Sequence, residues 1–150
     1  MNKMSSLIVL NTLIGINNER IAGYQVASNA TEEFDLKNLF EKFIQTSRKC
    51  KRELLGEINK MGVSAMEISI LNGKFFSVWM DIKSALYGKN RYDILTSCEI
   101  GDGAAVKTYT KILDQNEKDL TLYQHTMINI QHTYLLVDYN KIKSICQSFI

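Results

Sequence analysis

Polar residues interrupt the apolar stripes of four long helical segments, and they are the residues of this chain best suited to chemistry. Each stripe repeats at steps of three and four residues, as one face of an α-helix does. The interrupting residues are Asn17, Tyr24, Ser47, Asp102, Gln131 and Asp138. Burying a polar group without a partner costs about 1–3 kcal/mol, so a bundle of these helices must hold a hydrogen-bonded, hydrated or metal-filled layer.

Among these polar residues the carboxylates are the first candidates for a site. Glu99 and Asp102 lie one helical turn apart and could hold a metal ion or share a proton. They could equally be a solvated edge and one core acid hydrogen-bonded to Tyr24 or Gln131, which is the interpretation we favour. For Asp138 the stripe predicts at least partial burial with a Tyr or Lys partner, because an unpaired buried carboxylate is costly.

Histidines and cysteines add no catalytic or metal-binding pattern. His125 and His132 are two helical turns apart, about 10.5 Å along the axis, so they cannot directly bind one ion together and are expected at the surface or its boundary. The three cysteines show neither CxxC spacing nor a base at a catalytic spacing, which is typical of buried, reduced thiols in a cytoplasmic protein. They are Cys50, Cys98 and Cys146.

Length and charge limit the remaining function classes. A chain of 150 residues is long enough for one core, so we predict a single domain over residues 1–150. The net charge is only +2, and bases such as Lys51 and Arg52 stand beside Glu53 and Glu57, a pattern that argues against a nucleic-acid partner. No window approaches 18 uninterrupted apolar residues, so no membrane span is expected.

Start and stop signals divide the chain into four long helices. The first is predicted to start at Ser5 or Ser6, the second to open at Thr31 and end at Gly62, the third to be capped by Asn90, and the last to be capped by Asn116 with Asp119. Between the second and third helices, an extended stretch precedes a shorter amphipathic helix over residues 73–86. Ten extended residues and this helix together span up to about 55 Å, enough to travel along a helix of about 40 Å.

The second and third helices can therefore run parallel. The sequence thus predicts an all-α, four-helix bundle with one long crossover that carries an extra short helix. Among four-helix bundles this topology is the ferritin-like one.

Two sequence blocks strengthen this assignment. Residues 11–24 and residues 79–86, the second followed by Gly88, Arg91 and Cys98-Glu99, resemble a bacterial family of ferritin-like four-helix-bundle proteins catalogued as a domain of unknown function. The resemblance extends over about residues 7–145. It implies a relationship to di-iron carboxylate proteins, in which two helices each supply a Glu and two others each supply a Glu-x-x-His.

The ligand positions that the resemblance implies are mostly altered in this chain. They are Gln25, Glu53, Glu99, Asp102 and Tyr139. Gln25 and Asp102 stand where the resemblance implies Glu, Tyr139 stands where it implies His, and Glu53 is kept. The chain contains no Glu-x-x-His, and Gln or Tyr binds iron less readily than Glu or His. We interpret these positions as vestigial.

Two hypotheses of function follow. The first is a non-enzymatic, cytoplasmic bundle with a degenerate metal site and no cofactor, acting as a structural, stress-associated or interaction module that could form homo-oligomers. The second is a di-iron or other metal-dependent oxidoreductase or iron-handling protein that uses iron or manganese. If Asp102 is a remainder with weak partners, its replacement by Leu should be tolerated or stabilising.

Overall fold

The computed structural model describes residues 3–63 and 90–148, which contain four long helices. They are α1 (Lys3–Ala30), α2 (Phe34–Lys60), α3 (Arg91–Gln115) and α4 (Leu122–Gln147), with a single 3₁₀ turn at Glu117–Asp119 before α4. No strand occurs in these two ranges. The predicted all-α bundle is therefore confirmed, whereas the predicted short helix over residues 73–86 lies outside the described residues.

Contacts near the helix ends determine the helix directions. Lys37, near the start of α2, donates a hydrogen bond of 2.7 Å to the carbonyl oxygen of Ser28, near the end of α1, so these helices are antiparallel. Arg91, the first residue of α3, pairs with Asp35 in the first turn of α2 at 2.9 Å. Thus α2 and α3 start at the same end of the bundle and run parallel, as a long crossover between them requires.

The apolar stripes face the interior and form two hydrophobic clusters. One cluster is built on aliphatic residues such as Leu10, Leu54 and Ile128, all with no exposed surface. The other contains Phe40 and Leu95, also fully buried. Since burying a side chain of this size contributes about 1.5–3 kcal/mol, these clusters supply the main driving force for folding. The polar residues of the stripes lie between them along the helices.

Capping confirms two of the sequence predictions and corrects others. The side chain of Asn90 accepts a hydrogen bond from the backbone N–H of Asp93, and so caps α3 as predicted. Gly62 follows α2 with φ +72°, the left-handed conformation in which a glycine is favoured. By contrast, α1 is already helical at Lys3 and α2 begins only at Phe34.

The cap of α4 also differs from the prediction. Asn116 and Asp119 do interact, but within the 3₁₀ turn, where the amide of Asn116 donates to the carboxylate at 2.9 Å. The helix begins two residues after this turn, where Thr121 and Gln124 form a capping box. Each side chain accepts a hydrogen bond from the other residue's backbone N–H, which satisfies two donors of the first turn.

Candidate functional site

The guanidinium of Arg20 lies at the centre of the bundle and receives a polar side chain from each of the other three helices. Arg20 comes from α1 and has no exposed surface. Its Nε and Nη2 donate to the two carboxylate oxygens of Asp102 on α3, at 2.7 and 3.2 Å. Nη2 also donates to Asp138 on α4 at 3.1 Å, and Nη1 donates to the hydroxyl of Ser47 on α2. The fork of an arginine matches a carboxylate in this two-bond geometry.

Tyr24 completes this cluster, which we name the Arg20 layer: Arg20, Tyr24, Ser47, Asp102 and Asp138. The phenol of Tyr24 donates a hydrogen bond to Asp102 Oδ2. Its ring centroid is 5.4 Å from the guanidinium carbon, within the range of a cation–π contact. Burial first, and then the neighbouring charge of Asp102, raise the pKa of Tyr24 well above its ordinary value, so the phenol remains a donor.

One cation faces two carboxylates in this layer. Burial by itself lowers the pKa of Arg20, but Asp102, Tyr24 and Asp138 raise it above its ordinary value, so the guanidinium keeps its charge. At Asp138 the effect of burial outweighs the attraction of Arg20 and raises the pKa of the carboxyl to about 6. Proton uptake by Asp138 therefore brings the layer towards charge balance in mildly acidic solution.

A second polar cluster lies about two helical turns away along α2, α3 and α4; we name it the Tyr109 layer: Asn17, Glu53, Tyr109 and Gln131. The hydroxyl of Tyr109 accepts from the amide of Asn17 and donates to Gln131 Oε1, both at 2.8 Å. Gln131 Nε2 in turn donates to Glu53 Oε1 at 3.0 Å. The Asn17 Oδ1 atom is buried and has no hydrogen-bond partner among residues 3–63 and 90–148. Neutral hydrogen bonds thus dominate this layer.

The polar residues of the stripes are all buried, as the sequence predicts. Asn17, Tyr24, Ser47, Asp102 and Gln131 have no exposed surface, and Asp138 is 9% exposed. The expected bond between Tyr24 and Asp102 is confirmed. The partner predicted for Asp138 is wrong, because it is Arg20 rather than a Tyr or Lys.

Arg20 is the functional residue that the sequence analysis missed. The apolar stripe that we assigned to the first helix contains Asn17, Ile21 and Tyr24 and does not include Arg20. Arg20 is three residues after Asn17 and four before Tyr24, so it lies on the same helix face. A usable signal was available: two interior carboxylates, Asp102 and Asp138, require a buried cation.

The five ligand positions that the resemblance implies have different surroundings. Gln25 is exposed, while Glu53, Glu99 and Tyr139 are half-buried and Asp102 is fully buried. Glu53 accepts from Gln131 in the Tyr109 layer, and Asp102 is held by Arg20 and Tyr24. Within residues 3–63 and 90–148, no three His, Cys, Asp or Glu side chains are grouped as a metal site.

The donor set at Asp102 does not suit a metal ion. Both oxygens of Asp102 already accept hydrogen bonds from Arg20, and one also accepts from Tyr24. The position between Asp102 and Asp138 is filled by a guanidinium that carries the required positive charge. A cation bound there would have to displace the side chain of Arg20.

The cysteines are buried, as the sequence predicts, and a glycine allows two helices to approach closely. All three cysteines are free and buried, and burial raises the pKa of Cys50 to about 12. A Cβ at Gly103 would lie 3.3 Å from Tyr139 Cε1, so the glycine permits close packing of α3 and α4. His125 and His132 are half-buried at the boundary, and His132 Nε2 is 2.9 Å from the hydroxyl of Thr110.

Comparison with known protein families assigns the chain to one of them. A family model described as a domain of unknown function, DUF2383, matches residues 6–115. The chain belongs to this family. Within DUF2383, the matched region includes Arg20 and Asp102, whereas Asp138 and Gln131 on α4 lie beyond it. Neither a curated protein nor a solved structure matches the chain. Among the described residues, no helix is long and apolar enough to cross a membrane.

Proposed function

We propose that this DUF2383 protein is a bacterial, cytoplasmic, ferritin-like bundle without enzymatic activity, in which Arg20 serves as the central cation in place of a metal ion. Its role is that of a structural, stress-associated or interaction module. The parallel directions of α2 and α3 support the ferritin-like topology, since an up-down-up-down bundle would make these helices antiparallel.

The single observation that carries the proposal is the closed environment of the Arg20 guanidinium. Arg20 and Asp102 have no exposed surface, and the guanidinium is held by side chains from the three other helices. A substrate would have to displace these bonds to reach the polar interior. We infer that the ion pair of Arg20 with Asp102 and Asp138 fixes how the four helices pack against one another.

Metal analysis tests this proposal directly. Protein purified without chelators should contain iron and manganese far below one ion per chain, and added Fe²⁺ should leave its thermal unfolding midpoint unchanged. The informative variant is Glu99→Ala, with Glu117→Ala as the control, because Glu117 is an exposed carboxylate outside the vestigial ligand positions. Stoichiometric metal that is lost in Glu99→Ala and retained in Glu117→Ala would overturn the proposal and favour the oxidoreductase hypothesis.

Self-association is the form of interaction that the outer surface of α4 supports. Tyr123, Ile130, Tyr134 and Val137 share one face of the helix and are 64, 47, 37 and 61% exposed. Exposed apolar residues that are contiguous on a surface mark interaction sites. Light scattering should detect a dimer or larger assembly that dissociates in Val137→Lys, whereas a monomer at all concentrations would contradict this part of the proposal.

A further inference from the structure

A groove between α1 and α2 forms a second candidate site on the outside of the bundle. Its volume is about 430 Å³, within the range of about 300–1,000 Å³ that is usual for small-molecule sites. The lining residues are Asn18, Ile21, Arg48, Lys51, Arg52 and Leu55. Three of these six side chains are cationic and none is acidic.

The acidic neighbours of these bases in the sequence point to the other side of α2. Glu53 accepts from Gln131, and Glu57 pairs with Lys60 at 2.8 Å. Gln124 on α4 also donates to Glu57, at 3.4 Å. Both acids thus lie on the side of α4, although the sequence suggested that they neutralise the bases next to them. Over residues 3–63 and 90–148, neither Arg48 nor Arg52 forms an ion pair.

The charge of the groove favours an anionic ligand. Arg48 and Arg52 are one helical turn apart, and like charges at this spacing destabilise a helix. An anion bound between them would remove this repulsion. Guanidinium groups bind phosphate oxygens through two parallel hydrogen bonds, and Lys51 adds a third positive charge beside them.

The floor of the groove indicates that the ligand has an organic part. Ile21 and Leu55 supply apolar surface, and the amide of Asn18 supplies one donor and one acceptor. Apolar lining with a few placed polar groups is the usual composition of a small-molecule site. A free inorganic anion would use only the cationic part.

We propose that this groove binds a small organic phosphate of the nucleotide class. Arg48, Lys51 and Arg52 hold the phosphates, while Ile21 and Leu55 contact the organic part. This inference goes beyond the proposed function and does not depend on it, because the groove and the Arg20 layer share no residue.

Isothermal titration with ATP tests the site, and Arg48→Gln/Arg52→Gln is the informative variant. We expect binding to weaken at least about tenfold, because two charge-assisted contacts are lost. The matched control is Lys107→Gln/Lys111→Gln, which removes the same charge at the same spacing from the exposed surface of α3. The control should bind ATP with the affinity of the unmodified protein.

Two further probes separate the sources of phosphate. Inorganic tripolyphosphate should bind more weakly than ATP, and Leu55→Gln should weaken ATP binding without affecting tripolyphosphate. Vesicles rich in phosphatidylglycerol should not compete with ATP. The proposal is overturned by absence of ATP binding at millimolar concentration, by equal losses in the test and control variants, or by vesicle binding that depends on Arg48 and Arg52 while ATP binding does not.

Discussion

The Arg20 layer and the Tyr109 layer are adjacent, and each satisfies polar side chains inside the bundle with different chemistry. Both are buried, and both connect all four helices through side-chain hydrogen bonds. The Arg20 layer places a full positive charge between two carboxylates, whereas the buried part of the Tyr109 layer is a phenol and two amides, with the half-buried carboxylate of Glu53 at its edge. The comparison shows that a bundle can bury polar groups either as ions or as neutral donors and acceptors.

The two layers differ in how much stability the protein loses when one of their hydrogen-bonding side chains is removed. An ion stranded in the interior costs far more than an unpaired amide, since the charge has lost its hydration. Neutral hydrogen bonds each contribute only about 0.5–1.5 kcal/mol. The Arg20 layer should therefore be the more sensitive of the two to single substitutions, even though it lies only about two turns from the Tyr109 layer.

Asp102→Leu should produce the largest effect. It removes the carboxylate that bonds Arg20 through both oxygens, so that among the described residues the buried cation keeps its bonds to Asp138 and Ser47 and its contact with the Tyr24 ring. We expect the free energy of unfolding, measured by urea denaturation, to fall by about 3–5 kcal/mol. The sequence suggested that Asp102→Leu would be tolerated if Asp102 had weak partners. Because the contacts of Asp102 are strong, we no longer expect this.

The control for Asp102→Leu is Asp114→Leu, since Asp114 is an exposed residue of the same helix. It should change the free energy of unfolding by less than about 0.5 kcal/mol. A variant with Arg20→Met, Asp102→Leu and Asp138→Leu should recover most of the lost stability, because no charge is then stranded. A single Asp102→Leu variant as stable as the parent would show that the ionic layer is no more sensitive than the neutral one.

Titration of Asp138 gives the next largest effect. Its pKa in the folded protein is raised to about 6, above the ordinary value of 3.8, so the folded state binds the proton more tightly than the unfolded state. The stability that this group contributes is therefore present below about pH 4 and is lost as the pH rises through about 6. Over this window the loss is on the order of 2–3 kcal/mol.

The measurement is the difference in unfolding free energy between the parent and Asp138→Asn as a function of pH. Asparagine resembles the protonated carboxyl and does not titrate, so the parent should lose stability relative to the variant between about pH 4 and 6. A constant difference in unfolding free energy between the two proteins reflects effects of the substitution other than titration, so only the change of this difference with pH is informative. Parallel curves across this window would show that Asp138 remains ionised and that the layer is a pair of full ion pairs.

How much of this was predictable from the sequence differs between the two layers. Asn17, Tyr109 and Gln131 lie on apolar stripes, so periodicity alone placed the neutral layer in the core. The Arg20 layer was only half predictable. Its acids followed from the stripes, but Arg20 is a long cationic side chain, and such side chains usually keep the charged group in water, so a buried position was not expected for it.

The site on the surface was harder to predict. Arg52 is followed directly by Glu53 in the sequence, and only the hydrogen bond from Gln131 on α4 shows that this carboxylate lies on another side of α2. The predicted cap of α4 was wrong for a related reason. Asn116 carries a plausible capping side chain, but local bonding to Asp119 used it in the preceding turn.

Tyr109→Phe should have a moderate effect and so sharpens the contrast between the layers. The substitution removes a hydroxyl that accepts from Asn17 and donates to Gln131, while the ring remains in place. We expect a loss of about 1–3 kcal/mol in urea denaturation, because two neutral groups lose a partner without any stranded charge. A loss as large as that of Asp102→Leu would contradict the distinction between ionic and neutral layers.

Gly103→Ala should have the smallest effect, and it tests how tightly α3 and α4 pack beside the Arg20 layer. Alanine is favoured over glycine within a helix by about 1 kcal/mol, but the added Cβ would lie 3.3 Å from the ring of Tyr139. Gly56→Ala is the matched control, since nothing lies within 4 Å of its Cβ position. The control should raise the free energy of unfolding by about 0.5–1 kcal/mol, and Gly103→Ala should fall below it. Equal gains would mean that the Tyr139 ring moves aside freely, so close packing would not help to hold Asp102 and Asp138 against Arg20.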